Sequence, residues 1–285
     1  MEPYRQDFER QGRLSSRLID SNLETKMKLQ ERPKADYLEK MRQDMEKFIR
    51  TDNWTLQQKV ALACQVLDMD GHESALAGQI SARGDKPGTY WTMSFGLGFE
   101  ECLPSNILLV DDDLNVLEGE GMPNPANRFH LWIYRARPAV NSICHTHAPQ
   151  ASALSMVGEP LNVSHMDTCV LYENCAFLPE WPGVPIGDEE GRIISEALGD
   201  NEAVLLAHHG LLTACDSIER ATVLAFYVER AAKLQLLARS IGEIKPINRE
   251  LALEARGYRG APKYINATFN YLARRLLKTQ PDFLL

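Results

Sequence analysis

The sequence predicts an α/β domain that carries a helical N-terminal arm and a helical C-terminal tail, and three observations predict it. From Thr55 to about Gly242, runs with helical spacing alternate with short strand-like runs. Residues 1–50 are densely charged and hold glycine only at Gly12. Residues 246–285 carry two further helical patterns with tyrosines between them. The chain therefore divides into a charged arm (1–50), a body (51–245) and a helical tail (246–285).

In the arm, Leu38, Met41, Met45, Phe48 and Ile49 share a helical face after Pro33. For residues 1–30 two readings stand: an arm that packs on the body or on a neighbouring subunit, or a solvated tail. The run TLQQKVALACQVLDMDG has helical spacing, with Thr55 as N-cap and Gly71 as stop. Strand-like runs follow at LAGQIS (76–81), TYWTM (89–93) and NILLVD (106–111). The turn DDDLN then leads into VLEGEG as a hairpin. PANRFHLWIYRARP reads as a helix closed by Pro138, and VNSIC as a strand that ends at His145. A helix over APQASALSM, irregular text from 157 to 186 and a helix opening at Asp188 come next. AVLLAHHG is a strand ending at a second histidine pair. The box Asp216-x-x-Glu219 is expected to open the last long helix of the body, through ERATVLAFYVERAAKLQLLARSIG.

Composition narrows the class. Of 285 residues, 44% are hydrophobic and 25% charged, as in ordinary globular proteins, and a core of that size holds a rigid site without staples. The six cysteines form no CxxC pair, so reduced thiols and a cytoplasmic location are expected. MEPYRQDFERQGR lacks the apolar segment of a secretory signal, and no apolar run is long enough to span a membrane. The net charge is −8; residues 1–50 hold 12 Lys/Arg and 10 Asp/Glu, leaving 19 against 29 for the rest. So acidic a body argues against nucleic acid as a partner. Neither GxGxxG nor GxxxxGK occurs, so no nucleotide loop is implied.

The chemistry concentrates in histidines. There are seven, and four of them lie in CHTHAPQ and AHHGLL. In an extended segment residues i and i+2 project to one side, so His145 and His147 can share one ligand. Both groups sit at the ends of apolar strands, where a rigid element aims side chains into a cleft. Neutral imidazoles suit zinc, iron, nickel or copper, and three of them leave positions open for substrate or water. His165, in SHMDTC, is either a further site residue or a loop residue. His130 reads as a packed helix-face residue, and His72 as a turn or capping residue.

These residues resemble a known family. LAGQISAR, FGLGF, SNILLVD, MPNPANRFHLWIYRARPAVNSICHTHAP and AVLLAHHGLLT look like the class II aldolase/adducin domain over about residues 55–242. The resemblance implies a three-layer α/β/α domain around a central, mainly antiparallel sheet. It also implies a homo-oligomer, usually a tetramer, with active sites at subunit interfaces. His145, His147 and His209 match the three metal ligands, for one divalent ion per subunit: zinc or iron(II), with manganese as a further option. His208 falls where many members have asparagine and is not counted as a ligand.

Three segments depart from the family's sugar-phosphate aldolases. The stretch P-S-S-E, with its phosphate-holding serines and acid/base glutamate, reads Pro123-Asn124-Pro125-Ala126 here. G-N-x-S reads Gly78-Gln79-Ile80-Ser81, and T-P-S-G is replaced by Ser94-Phe95-Gly96-Leu97-Gly98. These segments nominate Gln79, Phe95 and Asn124 for substrate contact and predict a substrate without phosphate.

Three functions follow as expectations. The first is a metal-dependent lyase that cleaves an aldol or decarboxylates a small oxo or hydroxy acid. Its proton carrier is sought among Tyr172, Asp167 and His165, or a neighbouring subunit's tail tyrosine at 258, 264 or 271. The second is a non-haem Fe(II) oxygenase acting on an aryl oxo acid, which needs no glutamate base. It resembles the family's branch of oxygenases that make prenylated hydroxybenzoate in aminocoumarin pathways. Phe95, Phe99, Trp91 and Trp132 are candidates to line its apolar pocket, although core packing is the expected use of each taken alone. The third is an adducin-like scaffold without catalysis, against which the complete histidine trio argues, since buried unpaired imidazoles are costly to keep.

Overall fold

The computed structural model describes residues 31–284, so the readings of residues 1–30 lie outside the described residues. The chain forms two compact units divided after Ile49. The first contains helix α1 (Lys34–Phe48), which starts directly after Pro33.

The second unit opens with α2 (Leu56–Met69), and its start is a complete capping box. The Gln58 amide donates to Thr55 Oγ1 at 3.2 Å, and the Thr55 amide donates to Gln58 Oε1 at 3.0 Å. Two amides left unpaired by the helix start are thereby satisfied. The strands are β1 (Gln79–Arg83), β2 (Thr89–Met93), β3 (Ile107–Asp111), β4 (Val116–Glu118), β5 (Ser142–Thr146), β6 (Cys175–Leu178), β7 (Ala203–Leu206) and β8 (Gly210–Cys215). They form one sheet in the order β4-β3-β2-β1-β5-β8-β7-β6, antiparallel at every step except β6–β7. Between the strands lie α3 (Asn127–Ala136), α4 (Pro149–Met156) and α5 (Asp188–Leu198); after them come α6 (Ile218–Arg239), α7 (Arg249–Arg259) and α8 (Pro262–Thr279).

Strand periodicity sorts the core into two layers. Leu205, Leu211 and Cys144 face α2, α6 and α8, where they pack with Val60, Leu224 and Phe269. Their alternates Val204, Leu212 and Ile143 face α3 and α5, among Phe129, Ile133, Ile194 and Leu198. Helices thus cover both faces of a mainly antiparallel sheet, the three-layer arrangement that the resemblance implies. Among the described residues, no helix is long and apolar enough to cross a membrane.

Three local readings are corrected. The first strand starts at Gln79 rather than Leu76, because Gly78 turns the chain with φ +95° just before it. The segment 157–186 is not wholly irregular: it holds a 3-10 turn (Met166–Leu171) and β6, a short strand that pairs in parallel with β7. The Asp216/Glu219 box does not form. Ser217 is the N-cap of α6 and makes no side-chain cap, while Glu219 reaches back to Lys59 Nζ at 2.7 Å.

Candidate metal centre

The register of the sheet brings three distant segments together. β1 runs antiparallel to β5 with Gln79 opposite His145, and β5 runs antiparallel to β8 with Leu211 opposite Thr146. The end of β5, the start of β1 and the start of β8 therefore share one edge of the sheet. Residues directly opposite project to the same face, so Gln79 and His145 both lie on the α3 side, where His145 packs edge-on against Phe129 at 5.1 Å. His147 follows two residues on, and His209 comes from the turn between β7 and β8. In that turn His208 adopts φ +55°, a left-handed conformation uncommon outside glycine.

Two glycines permit the close approach. A Cβ on Gly78 would stand 3.0 Å from the carbonyl oxygen of His145. One on Gly210 would stand 2.5 Å from the Thr146 carbonyl oxygen and 3.0 Å from the His147 ring. With hydrogen at both positions, β1 and β8 close on the histidine strand.

His145, His147 and His209 each offer one nitrogen, and the three nitrogens lie within 4.8 Å of one another. The ring centroids are 4.7–4.9 Å apart. His145 Nδ1 donates to the Leu211 carbonyl oxygen at 2.8 Å, which fixes the tautomer and leaves the Nε2 lone pair facing inward. That Nε2 lies 3.0 Å from His147 Nε2. Nitrogens bound about 2.1 Å from a common ion stand roughly this far apart, so the donor set fits a first-row divalent cation. Burial, followed by the neighbouring His209 and His147, holds the His145 imidazole well below its ordinary value. Burial lowers His147 as well, and burial followed by His147 brings His209 to about 4. All three are neutral near pH 7, the protonation state a ligand needs.

The trio opens into a cavity of about 350 Å³. Gln79, Asn124, Ala126 and His208 line it beside the ligands, and a second stretch of chain adds Trp181, Val184 and Pro185. Among the described residues, no carboxylate, lysine or arginine lines it. Gln79 is buried, and its Nε2 has no hydrogen-bond partner. Asn124 turns its Oδ1 to the Ala126 amide at 2.9 Å.

The other expected residues lie outside this lining. Asp167 is paired with Arg259 and, at 3.2 Å, with Arg230. His165 caps the 3-10 turn by accepting from the Asp167 amide at 3.2 Å, and Tyr172 ends that turn partly buried against the core. Phe95 follows the Ser94–Pro123 bridge, with its amide on the Met122 carbonyl at 2.7 Å. Phe95, Phe99, Trp91 and Trp132 do not gather into a pocket; the core packing expected of each alone holds for Phe99 and Trp91. Phe99 is buried beneath Gly78, Trp91 packs on the α2 layer, and Trp132 donates to Asp188 Oδ1 at 3.1 Å. The apolar wall is Trp181, Val184 and Pro185 instead, which carry no periodic signal because they belong to a loop. His130 and His72 are buried structural histidines, bonded to Ser81 Oγ at 2.7 Å and Thr146 Oγ1 at 2.9 Å.

Comparison with known proteins agrees with this architecture. Over 195 residues the chain is 29% identical to the meiotically up-regulated gene 14 protein of Schizosaccharomyces pombe, covering 66% of this chain and 76% of that protein. It is 30% identical over 188 residues to a 4-hydroxy-3-prenylphenylpyruvate oxygenase/4-hydroxy-3-prenylbenzoate synthase of Streptomyces roseochromogenus. That match covers 65% of this chain and 66% of the relative, leaving about a third of the relative's length unmatched. Among solved structures, L-fuculose 1-phosphate aldolase from Glaciozyma antarctica superposes with a TM-score of 0.74 at 25% identity, covering 84% of this chain and 98% of that one. The family model of the class II aldolase and adducin N-terminal domain matches residues 58–236. With that match spanning more than half the chain, the protein belongs to the class II aldolase and adducin N-terminal domain family.

Proposed function

We propose that this protein is a divalent-metal-dependent lyase that breaks a carbon–carbon bond, by aldol cleavage or decarboxylation, in a small non-phosphorylated oxo or hydroxy acid. One observation carries the reading: three neutral imidazoles converge on one point of a cavity in which, among the described residues, neither serine nor threonine nor a cationic side chain is present to receive a phosphate. His145, His147 and His209 would hold one ion per subunit: zinc, iron(II) or manganese. Bound there, the ion supplies an electrophile that polarises a substrate carbonyl and takes up charge as a bond to carbon breaks, or, as iron(II), supplies dioxygen chemistry.

The chain's own residues orient the substrate. Gln79 and Asn124 offer amide donors to its oxygens, and Ala126 leaves open the space where a family glutamate would act. Among the described residues, the single chain brings no carboxylate to the cavity. A proton carrier from Tyr172, Asp167 or His165, or from a tail tyrosine, must then arrive across an interface in a homo-oligomer, a tetramer in this reading. Phe95 would join the site in the same way. The reduced thiols, with all six cysteines free, support a cytoplasmic location.

The same absence of a carboxylate, together with the Streptomyces relative, favours a second reading: an iron(II) oxygenase of aryl oxo acids. Metal analysis of protein purified without added metal, followed by turnover of small oxo acids in air and under nitrogen, separates the readings. Turnover under nitrogen with zinc or manganese supports the lyase and rejects the oxygenase. Iron content with oxygen uptake does the reverse. No stoichiometric metal would sink both and leave a scaffold. His147→Ala should abolish metal binding, and undiminished binding would mean that the trio is not the ligand set.

A further inference from the structure

Two features of the cavity have no role in holding a metal. The first is Gln79. The residue is 1% exposed and lies beside His145 across the β1–β5 ladder, and its Nε2 has no acceptor among the described residues. An unpaired buried amide donor is costly, and a substrate oxygen at the cavity would satisfy it. The second is the strap that connects β6 to α5, residues 179–187. It places Trp181, Val184 and Pro185 in the cavity lining, although Trp181 remains 52% exposed and Val184 61% exposed. Large apolar side chains left open at a polar site lose solvent contact when an apolar group packs on them. Prolines 179, 182 and 185 fix φ at three points of the strap.

The cavity's size and charge limit what fits. A void of roughly 150 Å³ accepts a benzene ring. About 350 Å³ therefore accommodates a ring together with a two- or three-carbon acid head. With neither lysine nor arginine among the described lining residues, this chain's part of the site would leave a second anionic group on the substrate uncompensated.

We infer that the strap is the specificity wall of the site: Trp181, with Val184 and Pro185, receives a flat apolar substituent, while the Gln79 amide donates to the acid head beside the histidines. The substrate class is then a monoanionic oxo or hydroxy acid bearing an aryl group. This rests on the oxo-acid reading above and adds to it the residues that choose among such acids.

The test is calorimetric binding under nitrogen, with metal-loaded protein and two probes that share one head, phenylpyruvate and pyruvate. Wild type should bind phenylpyruvate on the order of tenfold more tightly than pyruvate, the scale of one aromatic face contact. Trp181→Ala should erase most of that gap and leave pyruvate affinity and metal content unchanged, whereas Trp181→Phe should preserve it. Val184→Asn, at a more exposed position, should narrow the gap by a smaller factor and guards against misfolding of the tryptophan variant. Gln79→Leu should weaken both acids alike. A wild type that binds metal and both acids without preference overturns the inference and leaves the proposed function standing, as does a Trp181→Ala variant that keeps the full gap. A wild type that binds no metal and neither acid overturns the proposed function, and the inference with it.

Discussion

His130 offers a test of the core that needs no substrate. Its imidazole is fully buried under the sheet, bonded through Nδ1 to Ser81 Oγ, with Nε2 unpaired. Burial pushes it down to about 3. In the unfolded chain the ring titrates at its ordinary value near 6.5. Between those two values the unfolded chain holds a proton that the folded chain refuses, so stability is full above pH 6.5 and falls as the pH drops towards 3. One such proton is worth about 1.4 kcal/mol per pH unit, hence about 2 kcal/mol between pH 6.5 and 5. Other groups contribute their own slopes, so the informative quantity is a difference. Urea unfolding of wild type and His130→Gln should be followed at pH 7, 6.5, 6, 5.5 and 5. Whatever constant stability the substitution costs, the wild type should lose about 1.4 kcal/mol more per pH unit than the variant below 6.5. Parallel slopes would show that His130 is protonated in the folded protein and that the core around Ser81 is wetter than the structure shows.

Two further outcomes follow from contacts around the histidine strand. Gly210→Ala puts a methyl against the Thr146 carbonyl and the His147 ring, neither of which can withdraw without moving a ligand. It should cost about 1–3 kcal/mol in urea unfolding and weaken zinc in competition with a chromophoric chelator, whereas full stability and affinity would mean that the turn has room to spare. Glu229, on α6, accepts from the Gln150 and Ala151 amides at 2.9 and 2.8 Å and thereby caps α4, the helix that follows His147. Glu229→Gln sets an amide donor against one of those N–H groups and should destabilise by about 1–3 kcal/mol; an unchanged urea midpoint would refute the capping role.

Much of the layer arrangement was legible because strand alternation and helix spacing record which face is buried. The ends of β5 and β7 were marked by apolar runs stopping at histidines, and the family resemblance singled out His145, His147 and His209 among them. Elsewhere the local signal was overridden. LAGQIS reads as one strand, yet the left-handed turn at Gly78 delays β1 to Gln79. The Asp216/Glu219 spacing looks like a cap, but Glu219 finds Lys59, a partner 160 residues away in sequence. β6 was invisible: CAFL is four residues long and becomes a strand by pairing with β7. The cavity wall was missed for a related reason. Trp181 joins the cavity lining from a loop whose path no periodicity encodes.

The division of labour in the cavity has an evolutionary consequence. Histidines held at strand ends are tied to the pairing of β1, β5 and β8, and a shift there disturbs the whole sheet. The residues at 126 and 181–185 stand on connecting segments, where exchange leaves strand pairing intact. A lineage can therefore rewrite what lines the cavity one loop residue at a time, while the strand framework that carries the histidines passes through unchanged.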